Sequence, residues 1–340
     1  MLNKNVLIKD ISVGGNNTPY VIAEAGSNFN KDLGTAKKLI DVAADAGANA
    51  VKFQLFRANH LYPDGGELYD IFKSIELDPD WVPLLADHAQ KRGIHFMASA
   101  FDTVSLDALE AVDVPAHKIA SSETTNLQFV HYAASTGKPI IISTGMCDMV
   151  DVEEAVSVCL GAGNDNIILM QCGAMYPLPP ELANLRVMTS FVERFGCPTG
   201  FSDHTLGLTT SIAAVGLGAN IFEKHFTLDR KSDGPDHFYA IEPDELKTYV
   251  KDLQEAHQAL GTPIKEMLPK EREFGRREGL YFSRDMKVGE VITKDDVIEK
   301  RPAIGLRARY AHVVIGATLT ENTVKNQHFK WALLNFGVKS

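Results

Sequence analysis

The chain has 340 residues, of which 45% are hydrophobic and 23% charged, as in ordinary globular proteins. Its net charge of −10 argues against nucleic acid or an anionic membrane as the main partner, and no stretch approaches the roughly 20 apolar residues of a membrane span. Residues 1–20 show no secretory signal pattern, and four cysteines are too few for a disulfide framework, so we expect reduced thiols in a cytoplasmic protein.

A strand-then-helix pattern repeats eight times in the first three quarters of the chain. The strands are predicted from short apolar, β-branched runs without two-residue alternation, as in parallel strands covered on both faces. Amphipathic stretches predict the helices, and Asp151 followed by Glu154 is typical of a helix start. The predicted strands are 21–25, 50–54, 95–99, 116–120, 140–144, 167–172, 199–202 and 220–224, and the clearest helices are 33–46, 80–91, 151–160, 185–194 and 243–260.

Eight such units predict an α/β fold of the (β/α)8 TIM-barrel type. An open doubly wound sheet is less favoured because no dinucleotide-binding fingerprint follows the first strand. We expect the barrel over residues 1–262 and a polar, charged linker over 263–279. Residues 280–340 contain strand-like pieces at 280–283 and 287–293, and they predict a small second domain that is marginally stable alone.

Polar residues stand at the ends of nearly all predicted strands, and in a parallel barrel these ends meet at the rim that holds the active site. Lys52 and Lys118 end two apolar runs. Because lysine is seldom buried without a partner, they predict either a bound anion or ion pairs with carboxylates such as Glu24 or Glu223. Schiff-base chemistry is an alternative use of a lone lysine. Hydroxyl groups that favour a phosphate site belong to Ser99, Ser121, Ser143 and Ser202.

His204 and His225 follow neighbouring strands. Adjacent strands lie about 4.8 Å apart, so both imidazoles can reach one ion of the Zn²⁺ or Mn²⁺ type. The alternative is that each is a hydrogen-bonded histidine of the core. Glu24 and Glu123 are candidates for a general base or for water positioning, with neutralisation of the lysines as the other role. Asp236 lies in a Gly-Pro-Asp-His turn, from which it can contact a polyol substrate.

Together these motifs resemble the sialic acid synthase family, enzymes that join phosphoenolpyruvate to an N-acylated hexosamine to make nine-carbon 2-keto acids. The resemblance runs from about residue 20 to about residue 335. The segment around Lys300-Arg-Pro302 resembles the family's antifreeze-like SAF domain, which covers the partner's active site across a homodimer. The matching motifs include Val21-Ile-Ala-Glu-Ala-Gly26, Ala50-Val-Lys-Phe-Gln54, His117-Lys-Ile-Ala-Ser121, Tyr176-Pro-Leu-Pro-Pro180, Phe201-Ser-Asp-His-Thr-Leu-Gly207 and Glu223-Lys-His-Phe-Thr-Leu-Asp229.

The resemblance implies a role for each candidate residue and a divalent metal, with Mn²⁺ favoured over Mg²⁺ or Co²⁺. Asp236 matches a residue near the sugar hydroxyls, and Arg301 matches the arginine that the partner subunit donates to the acyl-amino group. Two departures, Phe29 in place of the usual His and Ala174 in place of an Asn, are expected to alter the acceptor side. The phosphate ligands correspond to Lys52, Ser99, Lys118, Ser121, Ser143 and Ser202, the metal ligands to His204 and His225, and the active-site carboxylates to Glu24, Glu123 and Glu223.

The implied function is a nonulosonic acid synthase that condenses phosphoenolpyruvate with an N-acyl mannosamine-type sugar and releases phosphate. One alternative is another phosphoenolpyruvate-dependent 3-deoxy-2-keto-acid synthase that uses a different aldose, but Arg301 in an antifreeze-like tail disfavours it. A metal-dependent hydrolase would show two histidines one residue apart after the first strand, where this chain has Glu24-Ala-Gly-Ser-Asn28. A non-enzymatic ice- or glycan-binding protein would not need polar residues at almost every strand end.

Overall fold

The computed structural model of the chain describes residues 2–273 and 275–337. It divides into two compact units, of which the first ends at Gly261 and the second begins at Thr262. The first unit contains a closed parallel barrel of eight strands, so the predicted TIM-barrel fold class is confirmed. Within the described residues, no helix combines the length and the apolar character needed to cross a membrane.

The barrel strands follow one another around the cylinder in chain order, and the last strand pairs with the first to close it. A two-stranded hairpin of β1 (Asn5–Ile8) and β2 (Ile11–Gly14) precedes the barrel. The predicted strands are all present, with their ends shifted by a residue or two. The barrel strands are β3 (Tyr20–Gly26), β4 (Ala50–Leu55), β5 (His95–Ala100), β6 (His117–Ile119), β7 (Ile140–Ser143), β8 (Ile167–Gln171), β9 (Thr199–Asp203) and β10 (Ile221–His225).

Helices connect the strands and bury their apolar sides against the outside of the barrel. In the first of them, for example, the buried residues are Ala36, Leu39, Ile40 and Ala43, which share one face at helical spacing. The helices of this unit are α1 (Leu33–Asp45), α2 (Ala58–Leu61), α3 (Glu67–Ile75), α4 (Val82–Lys91), α5 (Thr103–Glu110), α6 (Leu127–Ala134), α7 (Met149–Gly161), α8 (Val187–Phe195), α9 (Thr209–Gly216) and α10 (Pro243–Leu260).

The start of α7 differs from the sequence prediction. Asp148 is the capping residue, and Asp151 occupies the third helical position, where its carboxylate accepts a 2.7 Å hydrogen bond from the Asp148 backbone N–H. An acidic side chain can accept hydrogen bonds from free backbone N–H groups at the capping position and at the third helical position. The sequence around Asp151 is therefore compatible with a helix that starts at either Asp148 or Asp151. The prediction that the helix starts at Asp151 was therefore wrong.

The β1–β2 hairpin closes the amino-terminal end of the barrel. Its Val6, Ile8 and Val13 belong to the same buried cluster as barrel residues such as Ile22 and Ile141. The sequence prediction did not include this hairpin. Because apolar side chains fill this end of the barrel interior, a polar cavity can form only toward the carboxyl ends of the strands.

The second unit has its own small core, in which the rings of Phe282 and Phe329 stack with centroids 3.8 Å apart. A strand at 280–283 was predicted, and β11 lies at nearly the same place. Residues 287–293 form no strand, because a turn at Lys287–Glu290 interrupts them and leaves only an isolated bridge at Val291. The elements are α11 (Pro269–Glu273), β11 (Gly279–Phe282), β12 (Val297–Lys300), α12 (Ala311–Val314), β13 (Thr318–Leu319) and β14 (Leu334–Asn335).

Gly200 in β9 provides a test of how tightly the barrel is packed. A Cβ atom there would lie 2.2 Å from both the backbone oxygen and Cγ2 of Ile221 in β10. We expect Gly200→Ala to lower the free energy of unfolding by about 2–3 kcal/mol, because the two strands must separate. Gly216 in α9 has open space around its Cβ position, so Gly216→Ala should not destabilise the protein and should raise the free energy of unfolding by about 0.4–1 kcal/mol. Denaturant unfolding followed by circular dichroism measures both, and equal effects would contradict this packing.

Candidate active site

A cavity of about 480 Å³ opens at the carboxyl ends of the barrel strands. This end of a TIM barrel is the one that carries active sites. Of the predicted site residues, Asp236 does not line the cavity, and Arg301 belongs to the second unit. The cavity brings together Glu24, Lys52, Ser99, Lys118, Ser121, Glu123, Ser143, Ser202, His204, Glu223 and His225.

The two predicted lysines are buried in the floor of this cavity. The side chains of Lys52 and Lys118 are each only 3% exposed. Lys52 Nζ donates a 2.8 Å hydrogen bond to Ser99 Oγ, and Lys118 Nζ donates one of 2.6 Å to Ser143 Oγ. Each ammonium group is thus held by a hydroxyl on the neighbouring strand, which fixes where its positive charge lies.

Two carboxylates complete a buried cluster of charges with these lysines. Lys52 Nζ lies 2.8 Å from Glu24 Oε2, and Glu223 bridges the pair with its oxygens 3.7 Å from Lys52 Nζ and 3.5 Å from Lys118 Nζ. Gln54 Nε2 donates to Glu24 Oε1 at 3.2 Å. The ion pairs with Glu24 and Glu223, one of the two alternatives predicted for the lysines, are therefore present. The ammonium groups also border the cavity, so they remain able to contact an anion.

The two carboxylates differ in their pKa values. Burial raises the pKa of Glu24 to about 7, although Lys52 opposes the shift. Burial acts in the same direction on Glu223, but Lys118 and Lys52 on either side outweigh it and lower the pKa of Glu223 to about 2. Glu223 is therefore the permanent counter-ion, and near neutral pH the cluster keeps excess positive charge available for an anion.

Glu123 borders the cavity and has no ion-pair partner among the residues that the structure describes. Burial raises its pKa to about 7, and its Oε2 accepts a 2.6 Å hydrogen bond from Ser122 Oγ. A carboxyl group with a pKa near neutrality exchanges protons readily at the pH of most cytoplasmic reactions.

The His204 ring is oriented by the backbone. Its Nδ1 lies 2.7 Å from the carbonyl oxygen of Gly173, which can only accept, so the proton is on Nδ1 and the lone pair is on Nε2. The ring of Tyr176 packs against it with the centroids 4.2 Å apart and the planes tilted by 36°. Burial lowers the pKa of His204, so the imidazole is neutral.

His225 lies beside His204, with ring centroids 5.6 Å apart. Burial lowers its pKa to about 3. Its Nδ1 lies 3.4 Å from Tyr239 Oη, and that hydroxyl donates a 2.8 Å hydrogen bond to Asp236 Oδ1. Tyr239 therefore accepts from Nδ1–H, which leaves the lone pair of His225 on Nε2 as well. Within residues 2–273 and 275–337, no group of three or more His, Cys, Asp or Glu side chains is arranged as a metal site.

Outward-facing neighbours hold the segments that carry these histidines. Asp203 Oδ2 forms a buried ion pair of 3.0 Å with Lys224 Nζ, and Asp203 Oδ1 accepts from the backbone N–H of Thr205 at 2.8 Å. Ser211 Oγ donates to Asp203 Oδ2 at 2.7 Å and contacts Tyr249 Oη at 2.9 Å. The alternation along β9 and β10 thus directs one set of side chains into the cavity and ties the other set to the helices.

Asp236 occupies a supporting position in this structure. Its Oδ2 accepts a 2.9 Å hydrogen bond from Ser27 Oγ, while its Oδ1 is bound by Tyr239. Both oxygens thus have partners behind His225. Its contact with sugar hydroxyls stays a prediction, as does the role of Arg301, whose largely exposed guanidinium lies 3.8 Å from Glu278.

The two departures from the family pattern lie in different surroundings. Ala174 lines the cavity, and its effect on the acceptor stays a prediction. Phe29 is 1% exposed and packs against the rings of Phe53 and Trp81. Phe29 therefore presents no side chain to the cavity, and its effect on the acceptor side stays a prediction.

The sequence interpretation missed several cavity residues. Cys172 was counted only among the reduced thiols, yet its Sγ lies 3.1 Å from Ser121 Oγ and accepts from the Gly145 N–H. The cavity wall also contains Leu61, Tyr62, Phe72 and Phe101, from the segments after β4 and β5. These residues lie in two short helices and in connecting segments, where apolar side chains show no long periodic pattern, so nothing in the sequence marked them.

The buried carboxyl of Glu123 predicts a pH dependence of stability. Its pKa is raised from 4.5 to about 7, so its contribution is fully present below about pH 4.5 and is lost as the pH rises through 7. Relative to the wild type, Glu123→Gln should gain about 1–3 kcal/mol in free energy of unfolding between pH 5 and pH 8. Denaturant titrations at both pH values measure this, with the exposed Glu154→Gln as control. A Glu123→Gln curve parallel to the wild type would contradict the assignment.

Comparisons with known proteins identify the family to which this chain belongs. The NeuB family model matches residues 39–265, and the SAF domain model matches residues 277–335. The N,N'-diacetyllegionaminic acid synthase of Campylobacter jejuni is 39% identical over 89% of this chain and 96% of that protein, and the mouse N-acetylneuraminate-9-phosphate synthase is 35% identical over 83% of each. The crystal structure of N-acetylneuraminic acid synthetase from Leptospira borgpetersenii superposes with a TM-score of 0.76 and 34% identity over 80% of this chain and 95% of that one. The chain belongs to the NeuB family and carries a C-terminal SAF domain.

Proposed function

We propose that this protein is a nonulosonic acid synthase that condenses phosphoenolpyruvate with an N-acyl mannosamine-type sugar and releases phosphate. The observation that carries the proposal is one cavity with two buried ammonium groups, their serine partners and two neutral imidazoles. The synthase names of its relatives support it. Those names include products with and without a phosphate group, so the exact acceptor does not follow from similarity.

Phosphoenolpyruvate would bind at the lysine pair. Lys52 and Lys118 supply two positive charges against the one firmly ionised carboxylate of Glu223. Ammonium groups and hydroxyls together suit a phosphate, and in a buried site such charge-assisted hydrogen bonds are strong. Ser99 and Ser143 already orient the ammonium groups, and Ser121 and Ser202 add hydroxyls in the same cavity.

His204 and His225 would hold a divalent ion, with Mn²⁺ favoured over Mg²⁺ or Co²⁺. The donor set fits, because both imidazoles are neutral and each has its Nδ1 engaged by an oxygen partner, which directs Nε2 to the ligand. When bound, such an ion acts as a Lewis acid on the aldehyde of the open-chain sugar.

The residues of this chain supply position and proton transfer. The lysine pair holds phosphoenolpyruvate so that its C3 faces the aldehyde carbon, and this proximity removes most of the entropic barrier to C–C bond formation. The attack leaves positive charge at C2, where water adds; the proton that this water loses neutralises the new alkoxide of the former aldehyde, and phosphate leaves by C–O cleavage. Of the two candidates, Glu123 is better suited to position that water, because Glu24 is already paired with Lys52.

The proposal includes a cytoplasmic homodimer in which Arg301 of one subunit reaches the acyl-amino group bound to the other. The exposure of the Arg301 side chain, 65%, is compatible with such a contact. An arginine can donate hydrogen bonds from its fork to an amide carbonyl at this position.

Lys118→Ala tests the phosphate site by calorimetry. We expect it to abolish measurable phosphoenolpyruvate binding. The substitution removes one of the two positive charges that hold the ligand, and it leaves the negative charge of Glu223 less well neutralised. Lys138→Ala is the control, since Lys138 pairs with Asp113 and does not line the cavity, and it should bind normally. Retained binding in a folded Lys118→Ala protein would refute the lysine site.

The overall reaction is tested by phosphate release with a panel of N-acyl hexosamines, with and without Mn²⁺. We expect release only when phosphoenolpyruvate, a sugar and the metal are all present, together with a nine-carbon acid detected by mass. Reaction with a phosphorylated pentose or tetrose instead would favour the alternative keto-acid synthase. The absence of any condensation product would refute the proposal.

A further inference from the structure

We propose that the acceptor sugar is unphosphorylated and turns an apolar substituent, such as a 6-deoxy carbon, toward one side of the cavity. This inference rests on the proposed function and specifies its substrate class. It comes from two features that phosphate binding and metal binding do not use: an apolar wall, and the small number of cations around the cavity.

The apolar wall consists of Leu61, Tyr62, Phe72 and Phe101. All four are partly buried, so each keeps some surface toward the cavity. The rings of Tyr62 and Phe72 lie 4.9 Å apart, and Phe72 and Phe101 both pack edge-on against the buried Phe56, at 5.3 and 5.6 Å. This packing anchors the wall, so a ligand meets a preformed apolar surface.

The wall lies on the side of the mouth away from His204. It follows β4 and β5, which are three and four strands from β9 in the ring of eight. His204 follows β9. A sugar with its aldehyde carbon at the imidazoles and its chain across the mouth therefore ends at the wall. Burying methyl groups there removes apolar surface of both partners from water, whereas a charged group would lose its hydration.

The charges around the cavity disfavour a second phosphate group. Among the described residues that line it, the only lysines or arginines are Lys52 and Lys118, and both are needed for phosphoenolpyruvate. A phosphate at the far end of the acceptor would find no further lysine or arginine among these lining residues, so it would lose hydration with no compensating cation, which costs affinity.

The test compares three acceptors in the presence of phosphoenolpyruvate and Mn²⁺: N-acetylmannosamine, its 6-phosphate, and a 2,4-diacetamido-2,4,6-trideoxy analogue. We expect kcat/KM for the 6-phosphate to be lower than for N-acetylmannosamine on the order of 100-fold, and the trideoxy sugar to be used at least as well as N-acetylmannosamine. Equal or better use of the 6-phosphate would overturn this inference alone. No product from any of the three would overturn the proposed function, and the inference with it.

A substitution in the wall locates the far end of the acceptor. Leu61→Lys adds a cation to the wall, and it should raise the ratio of kcat/KM for the 6-phosphate to that for N-acetylmannosamine by about 10-fold. Leu61→Met, which keeps the volume and adds no charge, should leave that ratio within about threefold. An unchanged ratio in a Leu61→Lys protein with native circular dichroism would overturn the placement at the wall.

Discussion

Two ammonium groups buried at one end of a closed barrel are the constraint on which the rest of this structure depends. Removing a charge from water is costly unless a partner and hydrogen bonds compensate for it. Here Glu223 is the shared counter-ion of Lys52 and Lys118, and a serine on the next strand accepts from each of them. Because the pKa of Glu24 is raised by burial, the cluster is not fully neutralised, and an anionic substrate can complete it.

The alternation of side chains along the barrel strands determines where these charges lie. Side chains alternate along β9 and β10, so Ser202, His204, Glu223 and His225 line the cavity, while Asp203 and Lys224 pair on the outside. The hairpin fills the opposite end with apolar side chains. The proposed chemistry therefore has one entrance, with the phosphate site in its floor, the imidazoles on one side and the apolar wall on the other.

Much of this could be predicted from the sequence, because it depends on regular patterns. The eight strands were recognised from short runs of β-branched residues. Lysines and histidines are seldom found at the ends of such buried strands without a function, so their presence there indicated a site. What could not be predicted depends on three-dimensional neighbours: the burial of Phe29 beside Phe53, the binding of both Asp236 oxygens by Ser27 and Tyr239, and the aromatic residues of the wall. The hairpin was missed because two four-residue strands are too short to show a pattern.

The most direct measurement is a crystal structure of this protein with phosphoenolpyruvate bound. The account predicts that phosphate or carboxylate oxygens of the ligand lie within hydrogen-bond distance of Nζ of both Lys52 and Lys118. It also predicts that C3 of the ligand faces the side of the cavity that carries His204 and His225. Phosphoenolpyruvate bound elsewhere, with both lysines still paired only to Glu24 and Glu223, would contradict it.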